Sequence, residues 1–375
     1  MSRPSLLRRR QFLVGAAAAV VVGCGYGSTT AATRLRLIGE ATLAHKLQFK
    51  NTTVGGLSAL DYDPRTALWY ALSDDRSDYA PARCYTLRLD VNANSLGPPQ
   101  LQDVITLRQA NGQPYPNRNQ GGELPDPEGL RFIPGSRTLV WSSEGDIGRG
   151  LDPFVREVDL SGAQLRQLSL PAHLHASSTP GLGPRNNDTL EGLALSPDGT
   201  HLWAAMEGAL QQDGAVPTTT DPGGPCRFTQ INLATGQPTL QRAYVRDPVP
   251  RASIVPGMNA DNGVSEILML DAHRMLVLER SYAAGIGNSI RLYEVDTRSG
   301  SNTLAQNTLV PGQYQPMSKT LVANFDTLGL SRLDNTEGMA WGPTLHNGNR
   351  TLVFVSDDNF NPTQITQFVA FEYIA

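Results

Sequence analysis

Acidic side chains recur along this chain at a repeated spacing. Five segments start on a Glu or a small polar residue, run through an apolar stretch and a turn, and end a second stretch on an acid. They are Ser58-Ala-Leu-Asp-Tyr62 to Asp74, Glu128-Gly-Leu-Arg-Phe132 to Glu144, Glu191-Gly-Leu-Ala-Leu195 to Glu207, Glu266-Ile-Leu-Met-Leu270 to Glu279, and Glu337-Gly-Met-Ala-Trp341 to Asp357. The first three pairs are sixteen residues apart, the fourth is shorter by three and the fifth longer by four. Changes of hairpin loop length account for such differences. In an antiparallel hairpin the start of one strand and the end of the next share one end. The pattern therefore predicts a ring of carboxylates: Glu128, Glu191, Glu266 and Glu337 inside, with Asp74, Asp75, Glu144, Glu207, Glu279, Asp357 and Asp358 beside them.

Acids so gathered repel unless they are protonated, bonded to backbone or neutralised by cations. Hard oxygen donors on loops suit Ca²⁺ or another divalent metal. Asp74, Glu128, Glu144, Glu191, Glu207, Glu266, Glu279, Glu337 and Asp357 are accordingly candidate metal ligands. Glu191 and Glu266 are the candidate catalytic bases of a metal-assisted hydrolysis. Arg76 and Arg280 could hold a substrate phosphate or carboxylate, or pair with a neighbouring acid. An acid at a strand start also serves as a turn device that accepts backbone N–H groups, and both readings stay open. Gly-x-Ser-x-Gly, His-Glu-x-x-His and Gly-x-x-x-x-Gly-Lys motifs are absent from the sequence. Ser58 lacks an evident histidine base, and His173-Leu-His175 reads as part of a solvated loop.

The elements that carry these residues repeat as well. Segment starts lie 70, 63, 75 and 71 residues apart, a period that suits a four-stranded blade with long loops. β-Branched and aromatic residues predict two further strands after each hairpin: Arg83–Val91 and Asp103–Arg108, Phe154–Leu160 and Gln164–Leu170, Arg227–Leu233 and Gln241–Arg246, Ser289–Asp296 and Lys319–Phe325. The fifth unit has only Thr366–Ile374, and the alternating Arg34–Thr42 supplies the strand it lacks. The expectation is an all-β chain, a single β-propeller of five four-stranded blades closed by the N-terminal strand. Six blades are the alternative, with a degenerate blade hidden in the long connections. Pro171–Asn187, Gln211–Pro225 and Asp247–Asn262 should emerge on one face, and Trp69, Trp141, Trp203 and Trp341 should pack between blades.

With 375 residues, 40% apolar and 18% charged, 36 Gly and 26 Pro, the composition favours short strands joined by turns. A net charge of -4 and only three lysines, Lys46, Lys50 and Lys319, argue against nucleic-acid binding. Residues 1–23 read as a twin-arginine-type signal peptide, from Arg9-Arg10-Gln11-Phe12-Leu13 and the short apolar run Phe12 to Gly23. Val21-Val22-Gly23-Cys24 resembles a lipobox, so Cys24 is the candidate lipidation site and residues 24–33 a linker to a propeller over 34–375. An exported, periplasmic or surface protein anchored to membrane by lipid follows. There a Cys84–Cys226 disulfide is permitted but not required.

Asp-Pro-Glu128-Gly-Leu, Asn187-Asp-Thr-Leu-Glu191-Gly-Leu, Asn335-Thr-Glu337-Gly-Met and Leu278-Glu279-Arg280 resemble the recurring motifs of the phytase-like β-propeller family, "esterase-like activity of phytase". The resemblance runs from about Val54 to Tyr373 and departs at Ser58, where the other units have Glu. It implies a phytase-like or esterase-like propeller acting on a small-molecule ester. Together with the acids it points to a divalent-metal-assisted hydrolase of a phosphate or carboxylate ester. A non-catalytic propeller that binds a ligand or partner, and a metal-dependent lactonase, are the alternatives.

Overall fold

Alternating apolar residues bounded by turn formers give this chain its strands, and Asp side chains close several of the inner hairpins. Asp63 accepts from the Arg65 amide at 3.0 Å, Asp198 from Thr200 at 3.0 Å and Asp271 from His273 at 2.9 Å, the same Asx-turn device in three units. The computed structural model describes residues 34–374. Among them five four-stranded antiparallel sheets form the blades of a β-propeller.

Blade 1 comprises Leu57–Asp63, Leu68–Ser73, Arg83–Arg88 and Gln100–Thr106, and blade 2 Pro127–Ile133, Thr138–Ser143, Phe154–Val158 and Gln164–Leu168. Blade 3 comprises Leu190–Leu195, His201–Ala209, Cys226–Asn232 and Gln237–Tyr244, and blade 4 Gly263–Met269, Arg274–Ala283, Gly287–Asp296 and Ser318–Asn324. Blade 5 takes Thr336–Thr344, Arg350–Ser356 and Gln367–Tyr373, and Leu35–Thr42 pairs antiparallel with Gln367–Tyr373 as its outer strand. Five blades and closure by the N-terminal strand agree with the expectation. The expected signal peptide over 1–23, the lipobox at Cys24 and the linker over 24–33 all lie outside the described residues.

The inner strands each touch the next around the axis, and Thr336–Thr344 against Leu57–Asp63 closes the ring. The apolar core therefore lies between neighbouring blades. Trp69 packs with blade 5 residues, Trp141 with blade 1, and Trp203 within the cluster joining blades 2, 3 and 4. Half-buried Trp341 donates its indole N–H to the Met269 carbonyl of blade 4 at 2.9 Å. The connection between the third and fourth strands of blade 4 covers the outer edge of blade 3, through Thr303 N–H to the Gln241 carbonyl and Met317 N–H to Ala243, both 2.9 Å. An exposed sheet edge is thereby capped.

Two features of the inner strands decide what reaches the mouth. Each strand has a register shift near its start, between Leu57 and Ala59, Pro127 and Leu130, Leu190 and Leu193, Val264 and Glu266, and Thr336 and Gly338. Such bulges re-aim a side chain. The residues set in them are Ser58, Glu128, Glu191, Ser265 and Glu337. The glycine that follows three of the glutamates permits close packing of adjacent blades. A Cβ on Gly129 would stand 2.5 Å from the Glu191 carbonyl, and one on Gly192 2.7 Å from the Ile267 amide.

Cys84 and Cys226 are buried free thiols, so the permitted disulfide is not formed. The Cys226 thiol donates to the Glu207 carbonyl at 3.0 Å, and burial pushes its pKa up to about 12.

Candidate functional site

The bulges and the ends of the second strands meet at one mouth of the ring. In four blades the acid that ends the second strand is placed by its own amide. Asp74 N–H donates to Gly56, Glu144 to Asp126, Glu207 to Thr189 and Asp357 to Asn335, in each case a carbonyl two residues before the bulged residue. In blade 4 the equivalent partners are Gly263 and Arg280. Arg280 thus takes the place of an acid, and Ser265 takes the place of an inner Glu.

This register corrects two expected positions. Glu279 lies one residue deeper than the mouth acids, and its carboxylate is satisfied by Tyr244 hydroxyl at 2.6 Å, Lys319 Nζ at 2.7 Å, Asn262 Nδ2 at 2.8 Å and the Asp247 amide at 3.0 Å. Glu266 lies on the propeller axis, one Oε accepting the Leu193 and Ile267 amides at 3.0 and 2.8 Å and the other 2.9 Å from Arg131. Burial pushes the Glu266 carboxyl up, against the pull of Arg131 and the two amides. Arg131 also donates to the carbonyls of Leu60, Ile267 and Met339 at 2.8, 2.8 and 3.2 Å. The Arg131–Glu266 pair therefore ties the inner strands of all five blades together, with every oxygen of Glu266 engaged. Neither Glu266 nor Glu279 is free to hold a metal or take a proton at the mouth.

The other expected acids converge. Asp74, Glu128, Glu191, Glu337 and Asp357, with Arg76 and Arg280, line a polar cavity of about 600 Å³. Oxygens of Asp126, Glu128 and Glu144 lie within 4.8 Å of one another, as do those of Glu144, Glu191 and Glu207. The two triads share Glu144. Asp126 was not among the sequence candidates, although it heads the Asp-Pro-Glu128 step. Glu144 Oε1 accepts the Thr189 amide at 2.5 Å, whereas no hydrogen bond from another described residue reaches the carboxylates of Glu128 and Glu191.

The profile of the Phytase-like family, described as "Esterase-like activity of phytase", matches residues 52–360. The chain belongs to the phytase-like family. No curated protein matches it. Among solved structures, this phytase-like chain is similar to the catalytic domain of a Coprinopsis cinerea GH62 α-L-arabinofuranosidase, at 8% identity and TM-score 0.44, covering 91% of this chain and 97% of that one. It is also similar to a protein of unknown function from Dyadobacter fermentans DSM 18053, at 9% identity and TM-score 0.40, covering 91% of this chain and 100% of that one.

The electrostatics of the phytase-like mouth are those of an anion excess. Burial and then neighbouring acids push Asp74, Glu128, Glu191 and Asp357 well above the ordinary carboxylate range. Burial raises Glu207 to about 8 in spite of Arg280, and Asp126 to about 6 in spite of Arg76. Arg280 stands 3.1 Å from Glu207 and 3.5 Å from Glu337, and these acids raise its pKa although burial opposes its charge. Arg76 is committed to Asp126 and, at 2.6 Å, to Asn187 Oδ1. Asn335 Nδ2 bridges Glu337 and Asp357 at 2.9 and 3.2 Å.

Asp75 and Asp358 serve loops, Asp75 pairing with Arg83 at 2.7 Å and Asp358 accepting the Gly56 amide at 2.9 Å. Ser58 donates to the carbonyls of Pro127 and Glu128 at 3.2 and 3.1 Å, with no base against its hydroxyl among the described residues. Of the paired histidines, His175 stays at the surface in an exposed ion pair, as expected of a solvated loop, and His173 does not. His173 packs against Arg227 and Gln241, and burial with Arg227 lowers it to about 4, while His175 meets Asp152 at 2.9 Å.

Proposed function

We propose that the chain is an exported hydrolase of a phosphate or carboxylate ester that uses divalent cations, calcium first among them, at the carboxylate mouth. The observation that carries this is the pair of triads sharing Glu144, each with one glutamate, Glu128 or Glu191, whose carboxylate no described residue bonds. Their donor set fits a hard cation: carboxylate oxygens alone, buried or half-buried, and mutually repelling until a positive charge relieves them. Asp126, Glu128 and Glu144 would hold one ion, and Glu144, Glu191 and Glu207 another. A bound divalent ion supplies neutralisation of the substrate's charge and stabilisation of the oxyanion.

The chain's own residues supply the rest. Arg280, held between Glu207 and Glu337, is a fixed donor to a developing negative oxygen. Glu191, set in the bulge facing the cavity with no hydrogen-bond donor on its carboxylate among the described residues, is the carboxylate suited to take a proton from an attacking water. Asp126 and Asn187 keep Arg76 against the wall, where it orients the incoming group. Export rests on Arg9-Arg10 and the apolar run behind it, and lipid attachment on the Val21–Cys24 box.

Turnover of p-nitrophenyl phosphate and p-nitrophenyl acetate before and after chelation tests the reading. Chelator-treated protein that keeps its circular dichroism should lose turnover and regain it with calcium. Full turnover after chelation would overturn the proposal.

A further inference from the structure

We infer that the reacting group is joined to an apolar arm, alkyl or aryl, that lies in a groove opening off the mouth. The nature of the reacting group rests on the hydrolase reading above, whereas the arm rests on the groove alone. A second cavity of about 770 Å³ lies between two loops, one after the second strand of blade 3 and one leading into blade 4. Asn187, Asp261 and Arg280 line both cavities, so the groove and the mouth are continuous at Arg280.

The two cavities differ in chemistry. The mouth has Leu333 and Tyr282 as its large apolar-bodied residues among acids, arginines and amides. The groove adds Val216, Pro217, Val249, Ala252 and Met258. Val216 and Met258 are 54% and 56% exposed, apolar surface turned to water inside a concavity beside the candidate site. Concave apolar surface next to convergent polar groups is the usual form of a small-molecule site.

The groove is also built before any ligand arrives. Val249 N–H donates to the Thr218 carbonyl at 2.9 Å, which staples the two loops to each other. Gly224 N–H to Ala215 at 2.8 Å closes the first loop, and Asn262 Nδ2 to the Asp247 carbonyl at 2.9 Å closes the second. At the floor a Cβ on Gly263 would stand 2.3 Å from Glu207 Oε1, so the glycine leaves room for the carboxylate that meets Arg280. A polyanion with no apolar part would leave the groove wall hydrated. An ester with an alkyl or aryl arm fills both cavities from one reacting centre.

Calorimetric titration of ethyl-, butyl- and octylphosphonate into the protein in calcium buffer tests this. A buried methylene is worth about 0.8 kcal/mol, or about fourfold in affinity. In a groove open on one side, Kd should fall at least about tenfold from the ethyl to the octyl ligand. Val216→Asp and Met258→Asp should each cut that gain severalfold. Equal affinity along the series, no binding of any member, or Asp variants that keep the full gain would overturn the inference. So would Asp variants that change only the sedimentation coefficient, since a second copy of the chain would then cover the groove. Graded binding in a protein that hydrolyses no ester would keep the arm and remove the hydrolase reading. Turnover of short esters with flat phosphonate binding would do the reverse.

Discussion

Glu191 carries the most specific claim at the level of single residues. It stands in a bulge, its carboxylate takes no hydrogen bond from a described residue, and it is raised by burial and by Glu207, Glu144 and Glu337. Glu191→Gln keeps its shape and removes its basicity, so kcat should fall about 10²-fold or more, the usual reach of a lost general base. Ser58→Ala should leave kcat within about threefold, since its hydroxyl only donates to two backbone carbonyls and chemistry does not pass through it. The converging acids were legible because each follows from hairpin geometry. Glu266 and Glu279 were misplaced because blade 4 has Ser and Arg at the two mouth positions, and matching acid to acid slips its register. Ser265 and Arg280 are fifteen residues apart, close to the sixteen of the first three units, and that spacing was the available signal. Asp126 gave a weaker one, because the matching positions in the other units are Gly56, Thr189, Gly263 and Asn335.

The inner strands owe their mutual alignment to packing and to one ion pair on the axis. Arg131 and Glu266 are both essentially sealed from water, and breaking a buried pair by removing one partner costs about 3–5 kcal/mol. Arg131→Met and Glu266→Gln should each lower the unfolding free energy read from a urea titration by an amount of that order. The double variant should lose less than the sum, because it leaves no uncompensated charge. Additive losses in the double-mutant cycle would show that the pair does not act as a unit. Strand existence was legible from alternation, and boundaries moved by a few residues, as at Gln237–Tyr244 against the expected Gln241–Arg246. The bulges were not legible. They arise where one inner strand must open toward the mouth while its neighbour's backbone presses on the following glycine, a contact between residues more than sixty positions apart.

Closure of the whole ring was legible from counting strands, since an unpaired outer position in blade 5 and an alternating segment at the other end answer each other. The charge balance of the closed molecule leads to a pH prediction. Glu207 is raised from 4.5 to about 8 and Asp126 from 3.8 to about 6. A carboxyl raised on folding binds more protons in the folded state, so its folded form is favoured at low pH. Stability is then lost as pH rises from the unfolded value through the folded one. Tm of chelator-treated protein should therefore fall between about pH 5 and about pH 8, and calcium should raise Tm more at the upper end than at the lower. A cation-free Tm that is flat or rising across that window would contradict the burden assigned to the mouth acids. The central claim is that these acids hold divalent ions, and calorimetric titration of calcium into chelator-stripped protein measures it directly. Glu144 belongs to both triads, and Glu144→Gln keeps the acceptor for Thr189 while removing the charge. The account predicts calcium binding to the parent protein and its loss in the folded Glu144→Gln variant. Absence of binding to the parent, or equal binding by the two, would contradict it.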